Sequence, residues 1–192
     1  MNDLVETKPS YLEEVVEKPV WVDAMVEEYE YIVNNNVWEV VPRLANKSVV
    51  GSRWIFKGKH ATDGKIEKYK ARFMAKGFCQ VKGIDYEETF SPLSRYSSIR
   101  EILSLFAQMV WKIHQMDIKP TFLNGIIEEE VCIVQIEGFN TFDQESHVRR
   151  FKQALYTLKQ SPCDWYTRIN IDLTGSDFTK SKVDSNLYHI LV

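Results

Sequence analysis

An amphipathic helix is the first element that the pattern of apolar and polar positions predicts. Apolar side chains at Trp21, Met25, Tyr29 and Ile32 recur three or four residues apart, and acidic side chains fall mainly between them. Pro19 suits the first turn of such a helix. A run of three asparagines follows the last apolar turn and predicts where the helix ends.

The segments on either side of this helix have different patterns. The first dozen residues are polar, and we expect residues 1–18 to form a flexible segment. Residues 37–41 form a short apolar run that predicts a strand, and Pro42 stops it because proline cannot donate a ladder hydrogen bond.

A β-hairpin is predicted over residues 49–78, because two alternating runs flank an Asp-Gly turn at 63–64. Trp54 and Phe56 share one face of it. The basic residues that alternate on the hairpin are Arg53, Lys57, Lys68, Lys70 and Arg72. Such a face either binds a polyanion or is a solvated edge that lysine protects from aggregation, and the charge alone leaves both interpretations open.

The rest of the chain predicts further helices and strands in alternation. A capping box at 98–101 starts a helix whose apolar stripe, expected to be buried, is Ile102, Leu105, Phe106, Met109 and Ile113. The other predicted elements are a strand at 114–118, a strand pair at 126–127 and 131–135, helices at 146–158 and 162–173, and a final strand at 187–192. We therefore expect an α+β fold with an antiparallel sheet and packed helices.

Composition limits the class of protein. The chain has 192 residues, 44% of them hydrophobic, which suits one globular domain. It has neither a signal peptide nor an apolar run long enough for a membrane span, so we expect a soluble, intracellular protein of the cytoplasm or the nucleus. Three widely spaced cysteines predict neither a disulfide framework nor a zinc site.

The net charge of −3 is unevenly distributed. Residues 53–82 carry nine basic and two acidic side chains, whereas residues 1–52 carry four basic and ten acidic ones. A polyanion would therefore bind at one patch, which coincides with the predicted hairpin.

Eight short motifs follow one another along the chain. They are Trp21-x-x-Ala24-Met25-x-Glu27-Glu28, Asn36-x-Trp38-Glu39-Val40-Val41-Pro42, Gly51-Ser52-Arg53-Trp54-Ile55-Phe56-Lys57, Tyr69-Lys70-Ala71-Arg72-Phe73-Met74-Ala75-Lys76-Gly77-Phe78, Asp85-Tyr86-x-Glu88-Thr89-Phe90-Ser91-Pro92, Gln115-Met116-Asp117-Ile118-Lys119, Phe122-Leu123-Asn124-Gly125 and Ala154-Leu155-Tyr156-x-Leu158-Lys159-Gln160. In this order they resemble the reverse transcriptase of copia-type retrotransposons. The resemblance implies a reverse-transcriptase-like fold of fingers and partial palm over 19–192, with plant retrotransposon Pol polyproteins as relatives.

The resemblance also implies a reaction, RNA-directed DNA synthesis with two magnesium ions. Asp117 matches the first catalytic acid, which binds magnesium, and the backbone carbonyl of Ile118 would bind the same ion. Phe122 matches the aromatic residue that excludes a ribose 2′-hydroxyl, which implies a preference for deoxynucleotides.

Further residues match the family's nucleotide- and template-binding positions. Lys70, Arg72 and Lys76 match the fingers hairpin that meets the incoming triphosphate and the template, and Gln160 matches the segment beneath the template base. The implied partners are an RNA or DNA primer–template, a deoxynucleotide and other parts of the Pol polyprotein.

The chain departs from the family pattern in ways that bear on activity. The family's other acids lie in a Tyr-x-Asp-Asp hairpin, but these 192 residues contain no two adjacent Asp. That hairpin would begin shortly beyond Val192, so we expect a truncated chain that is inactive as a polymerase. The alternative is a non-catalytic nucleic-acid-binding or protein-interaction module that retains the fingers hairpin.

Single residues depart from the pattern as well. Pro120 and Thr121 replace residues that leave a backbone N–H free and the turn uncrowded. Thr157 stands where the family has Gly, and it would be strained if that position has positive φ. Cys163 and Asp164 stand where the family prefers a basic residue and a small one.

Overall fold

Helices and largely antiparallel sheets make up the fold, which confirms the α+β class. The computed structural model describes residues 8–9, 11–45, 47–118, 121–139 and 146–190. In chain order its elements are α1 (Leu12–Val16), α2 (Pro19–Asn34), β1 (Trp38–Pro42), β2 (Val49–Val50), β3 (Ser52–His60), β4 (Ile66–Ala75), α3 (Tyr96–Met109), β5 (Cys132–Ile133), β6 (His147–Phe151), α4 (Ser161–Gly175), β7 (Thr179–Lys180) and β8 (Tyr188–His189). No helix within these described ranges is both long and apolar enough to cross a membrane.

The predicted hairpin is confirmed as the antiparallel pair β3–β4. Lys57 lies opposite Lys70, and Lys59 lies opposite Lys68. Residues directly opposite each other in an antiparallel pair share a face, so the basic side chains lie together on one face as the alternation predicts. The other face is apolar, and Phe56 on it is buried.

The predicted helix α2 is confirmed, and it packs on this hairpin. Trp21 is only 1% exposed and makes edge-on ring contacts with Phe56 and Tyr69, at centroid distances of 5.6 and 4.7 Å. Burial of such large rings makes this contact a main source of stability for the packing of α2 on the β3–β4 hairpin. Helix α1, which the sequence does not predict, precedes α2, and its Val15 is fully buried.

A four-stranded sheet in the order β1-β6-β5-β2 forms the other layer. The helix predicted at 146–158 is wrong, because His147–Phe151 is the strand β6 in this sheet. β6 pairs antiparallel with β1 on one side and with β5 on the other. Val148 and Phe151 are buried, and the Nε of Arg150 donates to Glu39 of β1 at 2.9 Å. The pairing partners, which are distant in sequence, decide the conformation of this short segment, in which only Val148 and Phe151 are apolar.

The strand predictions on either side of β6 are only partly correct. Of the pair predicted at 126–127 and 131–135, Cys132–Ile133 forms β5, whereas Ile126 bridges Gln153 instead of its predicted neighbour. The final strand predicted at 187–192 is the two-residue β8 within the described residues. Helix α4 is confirmed close to its predicted bounds.

The region from α3 to the predicted strand at 114–118 differs most from expectation. Helix α3 is present, but its apolar stripe is not buried, since Leu105, Met109 and Ile113 are 53–58% exposed. Residues 111–118 contain no strand, because a strand requires a partner for its backbone groups and no described segment pairs with them. Val110 ends the helix in the left-handed region at φ 53°.

Candidate functional site

A cavity of about 560 Å³ lies between α2, β4 and the segments around positions 117–123 and 155–156. Four basic side chains line it, those of Lys59, Lys68, Lys70 and Arg72. The strand period of two places the last three on one side of β4. Within the described part of the hairpin, these four cations line one cavity together.

Carboxylates share the cavity with these cations. Glu27 and Glu28 line it from α2, and Asp117 lines it from the segment that follows α3. Glu27 accepts from the Nζ of Lys68 at 2.7 Å, so one cation is paired within the protein. The cavity therefore has mixed charge, in which Lys70 and Arg72 are the cations closest to the middle of β4.

Aromatic rings hold Arg72 in place. Its guanidinium lies 5.0 Å from the centroid of the Tyr156 ring, in cation–π contact. The ring of Tyr156 meets that of Phe122 edge-on at 5.3 Å. Phe122 therefore lies behind Tyr156 and does not itself line the cavity, so its predicted role at the sugar is untested by this arrangement.

Asp117 and Ile118 are the two predicted metal-binding residues, and both line the cavity. Asp117 is exposed, and the carbonyl of Ile118 accepts from the hydroxyl of Thr121 at 2.8 Å. Thr121 is one of the departures from the family pattern, and it directs a donor at the carbonyl that magnesium would need. Lys119 and Pro120 lie outside the described residues.

The residues present do not fit a magnesium site. Magnesium prefers octahedral oxygen coordination and keeps its water unless carboxylates and substrate phosphates complete the site. Within the described ranges, no three His, Cys, Asp or Glu side chains come together to hold a metal ion. The described residues therefore do not by themselves complete a magnesium site.

Glu28 also lines the cavity; it belongs to the first motif, but the resemblance assigns it no role in the site. Its carboxylate accepts from the backbone N–H of Phe73 at 3.3 Å. Burial raises the pKa of this carboxyl, while the Phe73 N–H and the charges of Arg72 and Lys70 oppose the rise. The motif does not reveal this role of Glu28, because its partner Phe73 on β4 lies 45 positions away.

Gln160 is placed away from the cavity, in a buried polar network. Its side chain is 1% exposed; its Nε2 donates to the carbonyl of Asp85 at 3.2 Å, and its Oε1 accepts from the Nε2 of Gln80 at 3.0 Å. The network joins the loop after β4 to the segment before α4. The match of Gln160 to a position beneath the template base thus stays a prediction.

Lys76 also lies outside the cavity. It follows the last residue of β4 and is half-buried. Its Cδ stands 3.1 Å from where a Cβ on Gly51 would be, so its aliphatic stem packs against the start of β3. Of the predicted binding cations, the structure brings Lys70 and Arg72 together with Asp117, and it leaves Lys76 apart.

Two departures from the family pattern lie next to tightly packed glycines. Thr157 has φ 76°, so the positive φ expected of a glycine position is confirmed. Its carbonyl oxygen stands 1.8 Å from where a Cβ on Gly77 would be. Asp164 packs on Gly125, and burial, followed by the charges of Glu129 and Glu128, raises its pKa to about 7.

Comparison with known proteins identifies the same family as the eight motifs do. The family model described as reverse transcriptase (RNA-dependent DNA polymerase) matches residues 35–191. The chain belongs to this family. The resemblance to copia-type retrotransposon reverse transcriptases is thereby confirmed.

The relatives of this reverse transcriptase domain are mostly large polyproteins. The Retrovirus-related Pol polyprotein from transposon RE1 of Arabidopsis thaliana is 36% identical over 95% of the chain, and that from transposon TNT 1-94 of Nicotiana tabacum is 37% identical over 95%. The chain spans only 13% and 14% of their lengths. The Uncharacterized mitochondrial protein AtMg00820 of Arabidopsis thaliana is 35% identical over 67% of the chain and 77% of its own length. No solved structure matches the chain significantly.

Proposed function

We propose that the cavity beside the hairpin binds the triphosphate of a deoxynucleotide next to a primer–template, and that these 192 residues alone do not synthesise DNA. In this proposal residues 19–192 correspond to the fingers and part of the palm of a copia-type reverse transcriptase. One observation carries the proposal: Lys70 and Arg72 line the same cavity as Asp117.

The chemistry of the cavity supports phosphate binding. A guanidinium and an ammonium make short, charge-assisted hydrogen bonds to phosphate oxygens, and the cation–π contact with Tyr156 restricts Arg72 before a ligand arrives. Less side-chain entropy is then lost on binding.

The acids present support the proposed lack of polymerisation. Nucleotidyl transfer of this class clamps the attacking and leaving oxygens between two metal ions. Asp117 is the only member of the family's acid set that these residues supply, and no adjacent Asp pair occurs in the sequence. The hydroxyl of Thr121 donates to the Ile118 carbonyl, which the family would use as a magnesium ligand, so the similarity to a magnesium site is weaker still.

Primer extension tests the proposed inactivity. The purified chain is incubated with a labelled primer on an RNA template, deoxynucleotides and magnesium, beside an active reverse transcriptase as positive control. We expect no extended product above background. Template-dependent extension by the purified chain would contradict the proposal.

A non-catalytic nucleic-acid-binding module is the second candidate, and the basic face of the β3–β4 hairpin favours it. Binding of this kind releases counterions and weakens steeply as salt increases. Fluorescence anisotropy with a labelled primer–template should show salt-dependent binding that weakens when Lys70 and Arg72 are both changed to Ala. No binding even at low salt would remove this candidate.

A further inference from the structure

Glu28 is the residue at which α2, β4 and the cavity meet. Its carboxylate accepts from the N–H of Phe73, the residue directly after Arg72 on β4, at 3.3 Å. This hydrogen bond joins helix α2 to strand β4. It therefore fixes the position of β4 relative to α2 next to Arg72. The side chain of Glu28 is half-buried and lines the cavity.

The charge of Glu28 also acts on the phosphate-binding cations. The positive charges of Arg72 and Lys70 act on the Glu28 carboxylate and oppose the rise of its pKa, and the neighbouring Glu27 is paired with Lys68 at 2.7 Å. Solvent screens a half-buried charge less than an exposed one. A phosphate that enters the cavity would therefore share Arg72 and Lys70 with an anion of the protein.

We propose that Glu28 is a positioning residue of the triphosphate site: it anchors β4 beside Arg72 through the Phe73 N–H, and its negative charge limits the affinity of Lys70 and Arg72 for phosphate. The inference rests on the proposed function, because it assigns Glu28 a role in triphosphate binding. The acceptor oxygen of Glu28 and its negative charge thus have separate effects on the site.

Two variants of the full chain separate these properties. Glu28→Gln keeps an acceptor oxygen for the Phe73 N–H and removes the charge, whereas Glu28→Ala removes both. Glu30→Gln is the matched control, because Glu30 lies on the same helix, is exposed and does not line the cavity. The measurements are the Kd of thymidine triphosphate without magnesium, by calorimetry, and the Tm of each variant.

We expect Glu28→Gln to bind thymidine triphosphate about threefold to tenfold more tightly, as removal of one nearby charge predicts. Its Tm should stay close to that of the wild type. Glu28→Ala should bind less tightly than Glu28→Gln and melt at a lower temperature, because the Phe73 N–H loses its acceptor. Glu30→Gln should alter the Kd by less than about twofold.

Equal or weaker binding by Glu28→Gln would overturn the inference, and so would a Glu28→Ala variant that matches Glu28→Gln in both Kd and Tm. Binding that Arg72→Ala abolishes but Glu28→Gln leaves unchanged would overturn only the inference. No binding by the wild type would overturn the proposed function and the inference together.

Discussion

Thr157 shows how a single residue can strain the segment that supports the cavity. Its φ of 76° lies in the left-handed region, where a non-glycine residue costs about 1–2 kcal/mol. Its hydroxyl donates to the carbonyl of Ala75, which offsets part of that cost. The preceding residue is Tyr156, whose ring contacts the Arg72 guanidinium. The strained residue therefore lies close to the candidate site.

Comparison of Thr157→Gly with Thr157→Ala isolates the strain, because both variants lose the hydroxyl and only glycine accepts positive φ at little cost. The Gly variant should be more stable by about 1 kcal/mol in urea unfolding. At Thr167, within α4, the order should reverse, since glycine is about 1 kcal/mol worse than alanine in a helix. If Thr157→Ala is as stable as Thr157→Gly, the backbone at position 157 is not strained, which would contradict the prediction.

Asp164 is a second residue whose effect can be measured, through the pH dependence of stability. Its pKa is raised to about 7 in the folded protein from an ordinary value of 3.8, and one carboxylate oxygen is buried without a described partner. Between about pH 4 and pH 7 the folded state then binds more protons than the unfolded state. The stabilising contribution is complete below pH 3.8 and is lost as the pH rises through 7.

Asp164→Asn removes this titration. The variant should gain stability over the wild type as the pH rises from 4 to 8, by roughly 1–2 kcal/mol after allowance for the remaining exposure. Urea unfolding at the two pH values measures the gain. Thr167→Ala, an exposed change on the same helix that removes no titratable group, is the control and should differ from the wild type equally at both pH values. A gain at Asp164 that is equal at both pH values would refute the assignment.

At the scale of elements, the sequence predicts a helix where β6 forms and a strand at 114–118, where the structure has neither a strand nor a helix. β6 is paired on both sides, and residues 111–118 are unpaired. Backbone amides in a central strand exchange with solvent only when the structure opens. Hydrogen exchange followed by mass spectrometry should therefore find the amides of 148–151 at least about a hundredfold slower than those of 112–118. Similar rates in the two segments would show that the assignment of these elements is wrong.

Local signals account for the elements that the sequence predicts correctly. Helix α2, the β3–β4 hairpin and α4 each carry a periodicity, a turn or a cap within their own residues. β6 has only five residues, and partners more than a hundred positions away decide its state, as the pairing of Trp38 with Phe151 shows. The periodicity of α3 predicts a helix here, but the predicted capping box at 98–101 is wrong, because the helix starts at Tyr96 after the N-cap Arg95 and has no side-chain cap. Its exposure was not predictable, because burial depends on what packs against it.

The candidate site divides in the same way. Motifs identified Lys70, Arg72 and Asp117 in advance, and the fold places them around one cavity. Glu28 and Tyr156 belong to motifs as well, but only the structure shows their roles at the site, because each contacts a residue of β4 that is remote in sequence.

At the scale of the whole molecule, segregation of charge makes a net charge of −3 compatible with the proposed binding site for anions. The basic residues gather on the hairpin, and acidic side chains of α2 face part of that surface, with Glu27 paired to Lys68. An anion therefore gains attraction at the cavity and little elsewhere. This arrangement agrees with the proposed recognition of phosphate at one place in a domain of the reverse transcriptase family.

Nucleotide affinity measured on matched double variants tests this account most directly. Lys70→Ala with Arg72→Ala removes two cations that line the cavity, and Arg53→Ala with Lys57→Ala removes two from the same hairpin that do not. In titrations with thymidine triphosphate, the first pair should weaken binding at least about tenfold, because charge-assisted hydrogen bonds are lost. The second pair should change the Kd by no more than about twofold. Equal losses in the two double variants, or no loss in the first, would contradict a triphosphate site at this cavity.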